Sequence, residues 1–99
     1  MQYNKLVRDK IPEILDSRGI FYEKRIANDS DYKEELIRKL EEEIGEFIEA
    51  KNAEELADIL EVISAIKKLP EFKDVEKVKE KKLEEKGGFE KRIILKGEK

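Results

Sequence analysis

Acidic residues in two neighbouring segments of the sequence are spaced so that they could share a divalent cation. Glu43 and Glu46 lie three positions apart in the segment Lys39–Ala50, and Glu55 and Asp58 lie three apart in the next segment. On a helix, this spacing places two side chains on adjacent turns of one face. Carboxylate oxygens are also the ligands that Mg²⁺ and Ca²⁺ prefer in proteins.

A short connection makes these two segments face each other. Only one or two residues near Ala50–Lys51 separate the predicted helices, so we expect an antiparallel hairpin. Facing residues in such a hairpin have numbers that add to a constant, and Glu46 with Glu55 gives the same total as Glu43 with Asp58. The four carboxylates would therefore converge. Crowded, half-buried carboxylates repel each other and lose hydration, so a cation would stabilise them.

Ordinary structural roles would explain some of the same residues. Glu55 follows Asn52 by three positions and could complete a helix cap. A highly charged chain also produces acid pairs at this spacing by chance, and Glu41, Glu42 and Glu49 fit a solvated helix surface. Spacing alone therefore leaves open both a metal site and a solvated surface.

The composition excludes several kinds of active site. The chain contains no cysteine and no histidine. This excludes disulfides, thiolate and histidine metal sites, and Ser–His or Cys–His catalysis. Any metal must have oxygen ligands, which favours Mg²⁺, Mn²⁺ or Ca²⁺. Charged residues make up 47% of the chain, but 22 basic and 25 acidic residues nearly cancel. This balance argues against a nucleic-acid partner, because nucleic-acid-binding domains are usually strongly basic.

Length and hydropathy predict a single domain without membrane segments. The 99 residues fit one domain, residues 1–99, whose small core would be enlarged by pairing with another copy. No apolar run approaches the roughly 18 residues that a membrane span needs. The N-terminus also lacks a signal-peptide core. We therefore expect a cytoplasmic protein with no membrane partner.

The elements expected to position the acids are helices. Pro12 suits the first turn of a short N-terminal helix that Gly19 would stop. Asp31 and Glu34 have the spacing of a capping box, which predicts the start of a long helix. Apolar residues at separations of three, four and seven continue this helix to about Ala50.

Two further helices follow the long one. Asn52 is expected to cap the second helix, which ends before Pro70 and carries a wide apolar arc. A third helix, about Lys73–Lys86, is mostly charged, and Gly87 would stop it.

Two segments are rich in β-branched and aromatic residues, which is typical of strands. We expect Ile20–Ile26 to pair with Phe89–Leu95 and to pack on the helices. The predicted fold is therefore mainly α: an antiparallel helical hairpin core with a third helix, a short N-terminal helix and a small two-stranded β ribbon.

Three motifs resemble a known enzyme family. EEIGE at residues 42–46, followed by ELAD at residues 55–58, resembles the EExxE…ExxD signature of the all-α nucleoside triphosphate pyrophosphohydrolases, the MazG-like and phosphoribosyl-ATP pyrophosphohydrolase-like superfamily. YNKLVRDKIPEIL near the start and EKGGFEKRI near the end look like a small branch of predicted house-cleaning enzymes for noncanonical nucleotides. The resemblance covers nearly the whole chain.

The resemblance implies Mg²⁺-dependent hydrolysis of a nucleoside triphosphate to its monophosphate and pyrophosphate. It implies that Glu43, Glu46, Glu55 and Asp58 bind Mg²⁺, with Mn²⁺ as an alternative ion, and that Glu42 orients or deprotonates the attacking water. A homodimer or homotetramer of helical hairpins is also implied.

A triphosphate needs cationic contacts besides the metal site. Arg8 is the preferred candidate, because a guanidinium group matches two phosphate oxygens at once. The candidate phosphate-binding residues are Lys5, Arg8, Lys10, Lys82, Lys86 and Arg92.

Two other functions compete with this one. The first is a non-catalytic helical oligomerisation or interaction module whose acids are only surface charge. The second keeps the chemistry but changes the substrate to phosphoribosyl-ATP or a dinucleotide.

Overall fold

The computed structural model describes residues 4–97, which form four α-helices. These are α1 (Ile11–Ser17), α2 (Asp29–Ala50), α3 (Ala53–Lys67) and α4 (Val75–Lys86), and a 3₁₀ turn at Pro70–Phe72 precedes α4. The molecule is elongated, measuring 55 × 32 × 24 Å. In the described part of the chain, the helices are too short or too polar to cross a lipid bilayer.

The connection between α2 and α3 is a tight turn set by two residues. Lys51 ends α2 in the left-handed conformation, with φ of 50°, and its N–H donates to the carbonyl of Phe47. Asn52 then caps α3, because its side-chain oxygen accepts a hydrogen bond of 2.9 Å from the N–H of Glu55. The predicted Asn52 cap is confirmed, and the turn brings α2 and α3 together as an antiparallel hairpin.

The start of α2 differs from the prediction. The helix begins at Asp29, and the side chain of Asn28 caps it by accepting a hydrogen bond from the N–H of Asp31 at 2.9 Å. The predicted Asp31–Glu34 capping box is therefore wrong. Asparagine is an equally good cap, and the earlier start places Asp29 and Asp31 in the first turn, where the helix dipole favours negative charge.

The core between α2 and α3 is small and contains a carboxylate. Within residues 4–97 the buried apolar side chains are Leu36, Ile59 and Val62. Glu43 is buried among the same helices, with only 6% of its surface exposed. A charged group in so small a core needs a compensating partner.

The predicted β ribbon is wrong, because no strand forms in residues 4–97. A turn breaks the second segment: the N–H of Arg92 donates to the carbonyl of Phe89 at 3.1 Å, and Arg92 has a φ of 61°. The segment Ile20–Ile26 consequently has no partner strand, and its Phe21 is 88% exposed. A two-stranded ribbon is marginal in water unless it packs on a core, and neither segment does.

Helix α4 makes few contacts with the hairpin. It ends at Gly87, which has a φ of 78° and donates its N–H to the carbonyl of Leu83 at 2.8 Å. Val78 and Leu83 remain more than half exposed. The helix starts two residues later than predicted, because the turn at Pro70–Phe72 occupies the approach to it.

Candidate metal-binding groove

The segment before α1 lies beside one face of the hairpin and forms an open groove with it. The groove has a volume of about 770 Å³, within the range of small-molecule sites. Leu36 and Val62 supply part of its apolar lining, and Glu43 and Asp58 supply acidic groups. We call this feature the groove.

Three carboxylates from the two hairpin helices lie close together, and two of them, Glu43 and Asp58, line the groove. One oxygen from each of Glu43, Glu55 and Asp58 lies within 4.8 Å of the others. Glu43 comes from α2, and the other two come from α3, one turn apart. This arrangement depends on the Lys51–Asn52 turn, which sets the register between the helices. We call these three residues the acidic cluster.

Two oxygens of the acidic cluster are buried without a hydrogen-bond partner. They are one carboxylate oxygen of Glu43 and one of Glu55. A buried, unpaired carboxylate oxygen is destabilising unless a cation or donor reaches it. Three oxygen ligands suit a hard divalent ion such as Mg²⁺, Mn²⁺ or Ca²⁺. The acidic cluster could therefore hold a metal ion.

The fourth predicted ligand, Glu46, lies at the rim of the site. Its side chain is exposed and its oxygens fall outside the acidic cluster. A residue three positions along an α-helix is rotated by about 60° from the first, so Glu46 points less directly at α3 than Glu43 does. It still affects the site: burial raises the pKa of Glu43 above its usual range, and the neighbouring Glu46 carboxylate raises it further.

Glu42, the predicted catalytic residue, is paired with a lysine from the segment before α1. The ammonium of Lys5 lies 2.8 Å from a Glu42 oxygen, and Lys39 lies 3.5 Å from the other. The hydrogen bond from Lys5 is the main reason that the pKa of Glu42 is below its usual range. Glu42 is therefore ionised at neutral pH.

Arg8, the preferred phosphate contact, is bound to a member of the acidic cluster. Its guanidinium donates to Asp58 at 2.7 Å. The two side chains are 57% and 38% exposed, so water screens this ion pair. Arg8 and Asp58 can therefore each bind another partner in place of the other. Lys10 also lines the groove.

The other three predicted phosphate contacts lie elsewhere. Lys82 and Lys86 are on the exposed helix α4, and Arg92 is in the turn that follows it. None of the three lines the groove. A single chain does not bring them to the acidic cluster.

Sequence reasoning missed two residues that shape the groove. Lys39 is only 18% exposed and lies 3.3 Å from Glu43, so it partly compensates the buried carboxylate. Tyr32 is the aromatic side chain in the lining. The spacing of Tyr32, Leu36, Lys39 and Glu43, in steps of four, three and four, could have placed them all on one face of α2.

The raised pKa of Glu43 predicts that stability without metal falls with pH. Below the ordinary glutamate value of 4.5, Glu43 is protonated in both the folded and the unfolded state. As pH rises, the unfolded chain releases this proton first, so the free energy of unfolding falls. The lowered pKa of Glu42 has the opposite effect, but at pH values below 4.5.

Thermal unfolding in EDTA between pH 4.5 and neutrality measures this effect. Glu43→Gln should remove the fall in stability, whereas Glu49→Gln, at an exposed position on the same helix, should keep it. If the free energy of unfolding changed with pH in the same way for wild type and Glu43→Gln, the ionisation of Glu43 would not destabilise the fold.

Comparison of the chain with protein-family models, curated proteins and solved structures finds no significant match. The proposed function therefore depends on the acidic cluster, the groove and the EEIGE and ELAD motifs.

Proposed function

We propose that this protein is a Mg²⁺-dependent nucleoside triphosphate pyrophosphohydrolase that acts on noncanonical nucleotides. The observation that carries the proposal is the buried Glu43, which has an unpaired oxygen and lies in a cluster with Glu55 and Asp58. The resemblance of EEIGE and ELAD to the pyrophosphohydrolase signature supports the same reaction. A surface without a ligand would gain nothing from burying this carboxylate.

The residues of the acidic cluster would hold the metal, and Glu46 would add a carboxylate from the rim. When bound, Mg²⁺ would neutralise charge on the phosphates and polarise the water that attacks them. Because Lys39 reaches only one side of Glu43, it leaves the other oxygen available as a ligand.

Glu42 is the proposed general base. It directly precedes Glu43 in α2 and is ionised, so it can accept a proton from the attacking water. Its contact with Lys5 lowers its pKa, so Glu42 is a weak base when no substrate is bound. If Lys5 turned to a phosphate oxygen in the substrate complex, the pKa of Glu42 would rise and Glu42 would become the stronger base.

Lys5 and Arg8 are the proposed phosphate contacts. Each is now paired with a carboxylate of the site, Lys5 with Glu42 and Arg8 with Asp58. Both pairs are partly exposed, so exchanging a carboxylate for a phosphate oxygen requires little energy. In this proposal the side chains of Lys5 and Arg8 bind the carboxylates of the site when substrate is absent. They bind the phosphates of the substrate when it is present.

The groove is long enough for the whole nucleotide. Tyr32 and Glu43 are both in its lining, and they are eleven positions apart on α2. At the rise of an α-helix this corresponds to about 16 Å along the axis. The base would stack near Tyr32 while the phosphates reach the acidic cluster.

Pyrophosphate release across a panel of nucleotides with Mg²⁺ tests the proposed function. The panel should include ordinary and noncanonical triphosphates, dinucleotides and phosphoribosyl-ATP. We expect release from one or more triphosphates, and none without Mg²⁺. Release from phosphoribosyl-ATP alone would identify that compound as the substrate. Complete inactivity across the panel would favour a non-catalytic interaction module.

Replacing Arg8 tests the phosphate contact. Arg8→Gln should raise KM for the triphosphate by about 10- to 100-fold, because a hydrogen bond between charged groups contributes about 1.5–3 kcal/mol. The rise in melting temperature on adding Mg²⁺ should persist, since Asp58 loses a competing cation. Arg25→Gln is the matched control, because Arg25 pairs with Asp31 away from the groove. An unchanged KM for Arg8→Gln would limit Arg8 to a structural ion pair.

A further inference from the structure

One acidic residue of the groove has no part in the reaction proposed above. Glu61 lies in the lining, on the side that α3 contributes. Within residues 4–97 its carboxylate forms no ion pair, whereas Asp58 pairs with Arg8 and Glu43 pairs with Lys39. An ionised carboxylate accepts hydrogen bonds and donates none. The ligand group that meets Glu61 must therefore be a hydrogen-bond donor.

Glu61 lies between the two ends of the groove. Glu43 and Asp58 line one end, and Tyr32 and Lys68 line the other. Tyr32 precedes Glu43 by eleven positions and Lys68 follows Asp58 by ten, so both antiparallel helices reach the second end together. Glu61 follows Asp58 by three positions, which moves it about 4.5 Å along the helix axis towards the second end.

The order of these groups matches the order of the parts of a nucleotide. With the phosphates at the acidic cluster and the base near Tyr32, the sugar would lie between them, beside Glu61. Phosphate oxygens carry negative charge, so a carboxylate repels them. Sugar hydroxyls are donors, and carboxylates bind ribose hydroxyls in other nucleotide sites. The sugar therefore suits Glu61 better than the phosphates do.

The part of the groove beyond Glu61 suits the base. Ala65 follows Glu61 by about one turn and also lines the groove. Together with Leu36 and Tyr32, it makes this part apolar, and its small side chain leaves room for a planar ring. Lys68 is seven positions beyond Glu61, which is about 10 Å along the axis. The far edge of the base would therefore lie towards Lys68, with the sugar beside Glu61.

We propose that Glu61 binds the 2′- and 3′-hydroxyls of a ribose, so that the groove selects ribonucleotides over deoxyribonucleotides. This inference rests on the proposed function, because the acidic cluster defines the phosphate end of the groove. The two oxygens of one carboxylate can accept hydrogen bonds from two neighbouring hydroxyls. A 2′-deoxy sugar lacks one of these hydroxyls and therefore makes one hydrogen bond fewer.

The expected preference for ribose is about 10-fold in Kd. This value is at the lower end for a hydrogen bond to a charged group, because Glu61 is exposed and water competes with the ligand. Repulsion between Glu61 and the phosphates acts equally on ribonucleotides and deoxyribonucleotides. The ratio of the two dissociation constants therefore isolates the contact with the sugar.

Equilibrium binding of α,β-methylene nucleoside triphosphates tests this contact. In these analogues, carbon replaces the oxygen between the α- and β-phosphates, so binding is measured without turnover. Adenosine, guanosine, uridine and inosine analogues are each compared with their 2′-deoxy forms by calorimetry in Mg²⁺. For each base that binds, we expect wild type to bind the ribo form about 10-fold more tightly. Glu61→Ala should bind both forms with similar affinities.

Two further variants make the comparison specific. Glu54→Ala is the matched control, because Glu54 is exposed on the same helix and does not line the groove, and it should keep the preference for ribose. Glu61→Gln retains an acceptor without the charge and should keep part of the preference. Alanine is the strongest helix former, so neither alanine variant should weaken α3.

Pyrophosphate release from ordinary triphosphates by the same proteins tests the proposed function separately. Release by a wild type that binds both sugars equally, or a Glu61→Ala variant that keeps the ribose preference, would overturn the role of Glu61 and leave the proposed function standing. A ribose preference that is lost in Glu61→Ala, without any release, would support the contact and overturn the proposed hydrolysis. No binding of any analogue would overturn both.

Discussion

Glu43→Gln should abolish both turnover and the stabilisation of the protein by Mg²⁺. Glu43 is the most buried member of the acidic cluster and has an oxygen without a partner. An amide is a much weaker ligand for Mg²⁺ than a carboxylate, and it carries no charge. Metal assistance is worth several kcal/mol, so we expect turnover to fall at least about 1,000-fold.

The same substitution should stabilise the metal-free protein, which separates a lost ligand from a damaged fold. The amide introduced by Glu43→Gln cannot ionise in the core and would not repel Glu46, whereas burial and Glu46 both oppose the charge of Glu43. We expect Mg²⁺ at 100 times its Kd to stabilise wild type by about 2.7 kcal/mol, or about 10 °C or more in Tm. Glu43→Gln should show no such rise.

Differential scanning fluorimetry with and without Mg²⁺, together with pyrophosphate release, measures both effects. Glu49→Gln is the matched control: it removes one carboxylate from the exposed part of α2 and should behave as wild type. If Glu43→Gln kept the Mg²⁺-dependent rise in Tm, Glu43 would not be a metal ligand.

Glu42→Gln should lower kcat by about 100- to 10,000-fold while the protein still binds Mg²⁺, because general-base catalysis contributes a factor of this size. Glu42 pairs with Lys5 and Lys39 and is outside the acidic cluster. Its loss should therefore leave the Mg²⁺-dependent rise in Tm intact. This combination distinguishes the base from the ligands, whose replacement affects both properties.

Steady-state kinetics and thermal shift on Glu42→Gln provide the test, with Glu41→Gln as the control. Glu41 precedes Glu42 on α2 and is exposed to solvent. A kcat within a few-fold of wild type for Glu42→Gln would mean that another group activates the water. Loss of the Mg²⁺ effect in this variant would instead make Glu42 a ligand.

Local sequence patterns were sufficient to predict the hairpin and much of its acidic site. Asn52 is a strong cap directly after a short break, so the antiparallel arrangement of α2 and α3 could be predicted. The spacing of Glu43, Glu55 and Asp58 then indicated that they meet, as they do. Register alone could not show that Glu46 would lie at the rim, because that depends on the rotation of α2 about its axis.

Contacts between distant parts of the chain could not be predicted in this way. Arg8 and Asp58 are 50 positions apart, and the two residues of the pair between Lys5 and Glu42 are 37 apart. From the sequence we predicted that Lys5 and Arg8 contact phosphate, but not that they pair with Glu42 and Asp58. The predicted β ribbon failed because strand propensity reflects packing against a neighbour, and Phe89–Leu95 has none and contains a turn.

Titration with Mn²⁺, followed by the electron paramagnetic resonance signal of the free ion, tests the metal site most directly. Wild type and Glu49→Gln should remove the free-ion signal with one saturating affinity, and Glu43→Gln should bind the ion at least about 100-fold more weakly. Equal binding by wild type and a folded Glu43→Gln, or no saturable binding by wild type, would contradict the proposal that Glu43, Glu55 and Asp58 hold a divalent cation.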